Sequence, residues 1–227
     1  MSEREKILGR IREALQMPAP VPGGHGSHET AMPDETHGFS DWLPSVGASF
    51  EDRLHLFAAN AVDLRAEFHH LATRDELHAA LRRMSVEAGW KRIASHQGEL
   101  TDGAVTALGL RLCRTDEPYD VTELESCDIG LTECDALVAQ TGSVLITSRS
   151  AGGRGLSILP PHHIVLAHRG QLLGDLPAAF VLLKRKYSDN YPSMISLVTG
   201  PSRTGDIERI LVLGAHGPKK LTIFLVG

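Results

Sequence analysis

Two glycine-bounded clusters near the end of the chain hold the residue types best suited to chemistry. The first is Gly200-Pro201-Ser202-Arg203-Thr204-Gly205-Asp206-Ile207-Glu208, and the second is Gly214-Ala215-His216-Gly217-Pro218. An apolar run over 194–198 reads as a strand that breaks at Gly200-Pro201. A chain turning there displays backbone N–H groups, the hydroxyls of Ser202 and Thr204, and the fixed charge of Arg203. That set suits a small anionic molecule. Asp206 would repel a bare anion but can orient a hydroxyl on the same ligand. The alternative is a capped turn, with Thr204 or Asp206 satisfying the start of a following helix. His216, between glycines, can act as a base or ligand contact, or can hold a turn before Pro218.

Other candidates divide the same way. Thr141-Gly142 makes either a tight turn or the edge of a cleft. His162-His163 follows Pro160-Pro161, and adjacent strand residues point to opposite faces, so the pair cannot easily share a metal. Residues 149–155, with three glycines and two arginines, could form a phosphate-covering loop, but they lack the Lys-Ser/Thr of a P-loop and read rather as a flexible surface hairpin. Cys113, Cys127 and Cys134 have spacings that match no common zinc or iron–sulfur pattern, so no metal site is expected.

The elements that must position these residues follow from pattern. The chain has 227 residues, 42% hydrophobic and 22% charged, enough for one substantial domain with an appendage. Ile7, Leu8, Ile11 and Leu15 mark one face of an N-terminal amphipathic helix over 1–16. Residues 17–48, rich in Pro and Gly, form a flexible linker. The body, 49–227, alternates helical and strand-like segments. Helices are expected from about 50, over 73–87, 103–108 and 176–186. Strands are expected over 67–71, 90–95, 111–114, 163–167 and 221–226, with short strand-like runs between 128 and 147. That order predicts an α/β fold with parallel strands. Residues 207–212 fit either a helix or a strand. The net charge of −5 argues against a general nucleic-acid binder, and no apolar run approaches a membrane span. The mixed-charge N-terminus lacks a secretory apolar region, so a cytoplasmic location is expected.

These motifs also carry a resemblance. Leu137-Val138-Ala139-Gln140-Thr141-Gly142-Ser143, Leu159-Pro160-Pro161-His162-His163-Ile164 and the two C-terminal clusters resemble the LUD-domain proteins, within them the lactate utilization protein C (LutC/YkgG) family. The resemblance implies a mixed sheet flanked by helices, related to the NagB/RpiA/CoA-transferase-like fold. It implies a part in oxidising L-lactate to pyruvate alongside cysteine-rich, iron–sulfur partner proteins. This chain itself would bind no cluster or other cofactor. Family members often carry Glu where this chain has Gln140, so the carboxylate nucleophile of a CoA transferase is absent there. Three readings stand: a cluster-free subunit of a lactate-oxidising system, a stand-alone protein acting on a phosphorylated or CoA-linked molecule, and a scaffold docking through its first helix. The residues expected at a ligand site are Thr141, Gly142, Gly200, Ser202, Arg203, Thr204, Asp206 and His216.

Overall fold

The computed structural model describes Glu5, residues 43–205, 211–213 and 217–227. The chain divides into two units, Met1–Asp41 and Trp42–Gly227, and the fold described here is that of the second. The expected N-terminal helix, apart from Glu5, and the linker as far as residue 42 lie outside the described residues.

The body opens with α1 (Phe50–Asp63). The Ser49 side chain accepts from Asp52 N while the Asp52 carboxylate accepts from Ser49 N, a reciprocal cap that fixes the start. The element order continues β1 (Glu67–Leu71), α2 (Arg74–Ala88), β2 (Arg92–Ser95), α3 (Thr101–Leu108), β3 (Arg111–Arg114), α4 (Val121–Glu125) and β4 (Ile129–Glu133). Thr73 caps α2, and Gly89, at φ +66°, ends it. Then come β5 (Ala136–Val138), β6 (Ser143–Thr147), β7 (His162–His168), β8 (Leu172–Leu173), α5 (Leu176–Tyr187) and β9 (Ile195–Val198). The chain finishes through β10 (Arg203–Gly205), β11 (Leu211–Leu213) and β12 (Lys220–Val226).

Six strands form one wholly parallel sheet in the order β1-β12-β7-β4-β2-β3. A second, mixed sheet runs β8-β5-β6-β9, with β6 antiparallel to both neighbours. The α/β expectation therefore holds; of the short central runs, those at 136–138 and 143–147 enter the smaller sheet, while that at 129–133 joins the large one. On one face of the large sheet, Ile93, Ile129, Ile164 and Phe224 pack with Leu77 and Leu81 of α2. On the other, Val165, Ile223 and Leu225 meet Phe57 of α1 and Val144 and Ile146 of the small sheet. The outer face of the small sheet is covered by Ala179, Leu183 and Tyr187 of α5. No helix among the described residues is long and apolar enough to cross a membrane.

Three local readings change. Arg203–Gly205 pairs with Leu211–Leu213 as an antiparallel ladder, so Thr204 lies in a strand, while Asp206, the other candidate cap, lies outside the described residues. The undecided run over 207–212 reaches strand by Leu211. The segment 149–155, expected as a flexible hairpin, is pinned. Ala151 is fully buried, and the Gly152 carbonyl accepts from Thr115 Oγ1 at 2.7 Å. One small apolar residue between Ser150 and Gly152 gives little sequence signal, yet it is buried in the core and anchors the loop there.

Candidate functional site

In open α/β sheets the usual crevice lies beyond the carboxyl ends of the strands, where the strand order reverses. Here that point falls between β2 and β4, and the protein fills it. Glu133 Oε1 accepts from Leu100 N at 2.7 Å and Thr101 N at 3.2 Å, supplying the anion at the start of α3. His96 Nε2 accepts from Glu133 N at 3.1 Å, which fixes the strand end.

The sequence motifs converge elsewhere, near the amino ends of β7 and β12. Ser202 N donates to the Pro218 carbonyl at 2.9 Å, and Lys219 N donates to the Pro161 carbonyl at 2.8 Å. Backbone hydrogen bonds thus tie the Gly-Pro-Ser loop to Gly217-Pro218, and that loop to the Pro-Pro-His-His motif. Gly200, Pro201 and Ser202 line a small enclosed cavity of about 20 Å³ with Ser157, His163 and Pro218. Ser157 and Val198 also line an open groove of about 360 Å³, so the two spaces adjoin. The groove adds Arg154, Ile158, Ser193, Met194 and Ser196. Arg154 is the charged residue among its described lining.

His163 is the inner wall. It is fully buried, and its Nε2 lies 2.9 Å from Thr132 Oγ1. Its Nδ1 has no hydrogen-bond partner among the described residues. Burial, then the neighbouring His162, pushes its pKa down to about 3, so the ring is neutral at physiological pH. A buried polar atom without a partner is costly, and a cavity of this size accommodates about one water or one polar ligand atom. The arrangement offers a cation at the mouth, serine hydroxyls along the wall and a neutral imidazole at the inner end.

Glycine at position 130 makes this possible. A Cβ there would collide with the Leu156 carbonyl oxygen and crowd Pro160. The bare backbone of β4, paired to His163 in register, lets the 3-10 turn Gly155–Ser157 lie directly over the sheet and presents Ser157 beside His163. Gly130→Ala is expected to cost about 1–3 kcal/mol of stability through overpacking against backbone. In thermal and urea melts, an unchanged midpoint would show that the turn does not depend on this close approach.

Of the expected ligand residues, Gly200 and Ser202 are brought to the site. Thr141 and Gly142 form a turn against α1: Gly142 has φ +62°, and a Cβ there would lie 2.8 Å from Asn60 Cβ. The turn reaches the site indirectly, through the 2.8 Å bond between Ser143 Oγ and Thr199 Oγ1. Arg203 and Thr204 follow as β10, while Asp206 and His216 lie outside the described residues. Gln140 is structural: its side chain donates to the Pro44 carbonyl at 3.1 Å and its backbone N–H to Gly174 O at 2.9 Å. His162 and His163 face opposite sides of the sheet, bonding Thr222 and Thr132 respectively. Ser193 and Ser196 carry no sequence signal as ligand residues, and Arg154 carries only that of a phosphate-covering loop over 149–155, because nothing in their spacing anticipates that β9 and the pinned loop share a groove. All three cysteines are free and buried. Burial raises the Cys113 and Cys127 thiols, the latter to about 11.

A family model described as the LUD domain matches residues 119–226, the stretch that contains the groove, the cavity and the small sheet. This part of the chain, a little under half of it, is similar to the LUD-domain family. Among its relatives is lactate utilization protein C of Bacillus licheniformis, 34% identical over 109 residues. That alignment covers 47% of this chain and 45% of the relative, so it spans less than half of either. Lactate utilization protein C of Deinococcus radiodurans is 27% identical over 175 residues, covering 77% of this chain and 79% of that protein. A solved structure, a DUF162 family protein from Deinococcus radiodurans, superposes with a TM-score of 0.63 at 22% identity. It covers 80% of this chain and all of that one, and shows that the two share a fold.

Proposed function

We propose that this protein acts in lactate utilization, as a cluster-free component of a system that oxidises L-lactate to pyruvate, and that its groove holds a small anionic ligand such as the hydroxy acid or the keto acid. The names of its relatives support the pathway. The observation that carries the site is the groove itself, where Arg154 and the serines at 157, 193 and 196 lead to the partnerless Nδ1 of His163. A 2-hydroxy acid presents a carboxylate, a hydroxyl and a methyl group. Arg154 matches the first, the serines and His163 the second, and Met194 and Val198 the third. Arg203, Thr204, Asp206 and His216 belong to the same proposal, as residues of the adjoining loops. Oxidation of lactate releases two electrons and two protons. The electrons pass to iron–sulfur clusters on cysteine-rich partner proteins, since the three cysteines of this chain are spaced unlike cluster ligands. The role of Gln140 in holding Pro44 and Gly174 weighs against a covalent CoA-transferase reading.

The test is calorimetric titration of L-lactate and pyruvate into the full chain, with Arg154→Ala, Arg203→Ala and the exposed-site control Arg82→Ala. Loss of a desolvated, charge-assisted contact costs about 2–5 kcal/mol, so the first two variants are expected to bind tens-fold more weakly while the control is unchanged. Affinity unaltered in both would remove the groove from the proposal. Co-purification with the cysteine-rich partners tests the subunit reading separately, and recovery of this chain alone under conditions that hold those partners together would count against it.

A further inference from the structure

A second open cavity takes no part in the groove. It has a volume of about 470 Å³ and lies at the amino ends of β1, β12 and β7, on the sheet face that α2 covers. Its apolar wall is built from Trp90, Met84 and Phe224. His69 stacks on Phe224 with ring centroids 5.0 Å apart and planes 20° apart, and Trp90 meets His162 edge-on at 5.6 Å. Two cations, Arg83 and Lys220, and two carboxylates, Glu67 and Glu87, complete the lining. Both signs are present and the formal charges cancel.

Hydrogen bonding fixes the state of His162. Thr222 Oγ1 lies 2.9 Å from Glu67 Oε2, and a carboxylate only accepts, so Thr222 donates its one proton there. His162 Nε2, 2.8 Å from the same hydroxyl oxygen, must then be the protonated nitrogen. Nδ1 is left as a lone pair, on a ring that lines the cavity. Burial, with Lys220 assisting and Glu67 opposing, brings the pKa down to about 4, so the acceptor stays neutral at pH 7.

We propose that this cavity is a second ligand site, separate from the groove, for a zwitterionic small molecule with a bulky apolar side chain, the chemistry of a free aromatic or large aliphatic α-amino acid. Its carboxylate pairs with Arg83 and Lys220. Its ammonium group faces Glu67 and Glu87 and donates to His162 Nδ1. Its side chain covers Trp90 and Met84. A simple anion would meet two carboxylates without compensation, and a plain hydrocarbon would leave the His162 lone pair buried without a donor. The volume lies within the usual range for small-molecule sites.

Trp90 reports on its own cavity. In the full chain carrying Trp42→Phe, Trp90 is the remaining tryptophan of two, and its fluorescence is followed while L-phenylalanine is added. A saturable change is expected. Two half-ligands, 3-phenylpropionate and phenethylamine, are expected to bind about tenfold more weakly or worse, each lacking one charge. Arg83→Ala and Glu87→Gln, both at exposed positions, are each expected to weaken L-phenylalanine several-fold, with melting curves unchanged. Thr222→Val frees the His162 tautomer and is expected to weaken it too. The proposal is overturned if L-phenylalanine gives no saturable change, if 3-phenylpropionate binds as well as the amino acid, or if neither Arg83→Ala nor Glu87→Gln alters the affinity.

Discussion

Lys186→Ala is expected to destabilise the protein by about 2–3 kcal/mol. Its partner Asp135 has a fully buried side chain at the joint between β4 and β5. Lys186 Nζ donates to Asp135 Oδ1 at 2.6 Å, and Tyr187 OH donates to the same oxygen at 2.8 Å. Burial works to raise the Asp135 pKa, but hydrogen bonds from Lys186, Ser150 and Tyr187 outweigh it and hold it below the ordinary carboxylate value. Removing the lysine leaves a buried carboxylate with its hydroxyl partners alone. A fully buried pair loses about 3–5 kcal/mol on such a change. The Lys186 side chain is 49% exposed, so water replaces part of what is lost and the expected cost is smaller. The opposite substitution, Asp135→Asn, is expected to cost less, because Lys186 can extend into solvent. The double change Asp135→Asn with Lys186→Met is expected to be more stable than Lys186→Ala alone. Urea denaturation at pH 7 and at pH 3, below the 3.8 of an ordinary aspartate, checks both points. A depressed carboxylate pKa stabilises above the unfolded value and loses that contribution as pH falls through the folded one. The gap between wild type and Lys186→Ala is therefore expected to narrow at the lower pH. A gap that is constant with pH, or a double variant as unstable as the single one, would show that the ion pair is not the source.

How far the sequence could be read follows from which interactions are local. Thr73 with Glu76, and Gly89 behind α2, announce a helix through contacts a few residues apart, and that helix lies where the pattern puts it. β12 inserts between β1 and β7, and Glu67 meets Thr222 across 155 positions, so no window of sequence contains the edge of the sheet or the cavity beside it. The same applies to Asp135 and Lys186, 51 positions apart. The Gly-Pro-Ser loop stands out in the sequence as a candidate because its residue types are unusual for a strand end. Its partner does so less. His163 stood out beside His162, yet only the pairing of β4 with β7 shows that one imidazole enters the cavity by the loop while the other turns toward Thr222. The serines of the groove are silent, and Arg154 speaks only through its glycine-rich loop, because exposed arginine and serine are ordinary surface residues until the fold brings them together.

Those two histidines set the acid limit of the fold. Burial drives the pKa of His162 down to about 4 and that of His163 to about 3, from an ordinary value of 6.5. The folded state therefore keeps both rings neutral at pH values where the unfolded chain protonates them. The unfolded state binds more protons, so stability rises with pH in this window and falls as pH drops below about 6.5. Two protons taken up by the unfolded chain alone give a limiting slope of about 2.7 kcal/mol per pH unit, approached near pH 5. Asp52, Glu99, Asp120 and Asp135 have pKa values lowered from ordinary ones of 3.8 or 4.5. Their losses therefore fall mainly at lower pH, and the interval from pH 6.5 to 5 isolates the histidines. Urea denaturation across that interval is expected to show the steep loss in wild type and about half of it in either His162→Asn or His163→Asn. The baseline stability of the variants does not enter, because the slope is what is compared, and Thr222 and Thr132 remain as hydrogen-bond partners for the new amide. The same slope in wild type and both variants would mean that the buried rings take up protons without unfolding. The cavity beside His163 would then have to accommodate an imidazolium, and the neutral inner wall proposed for the ligand groove would not hold.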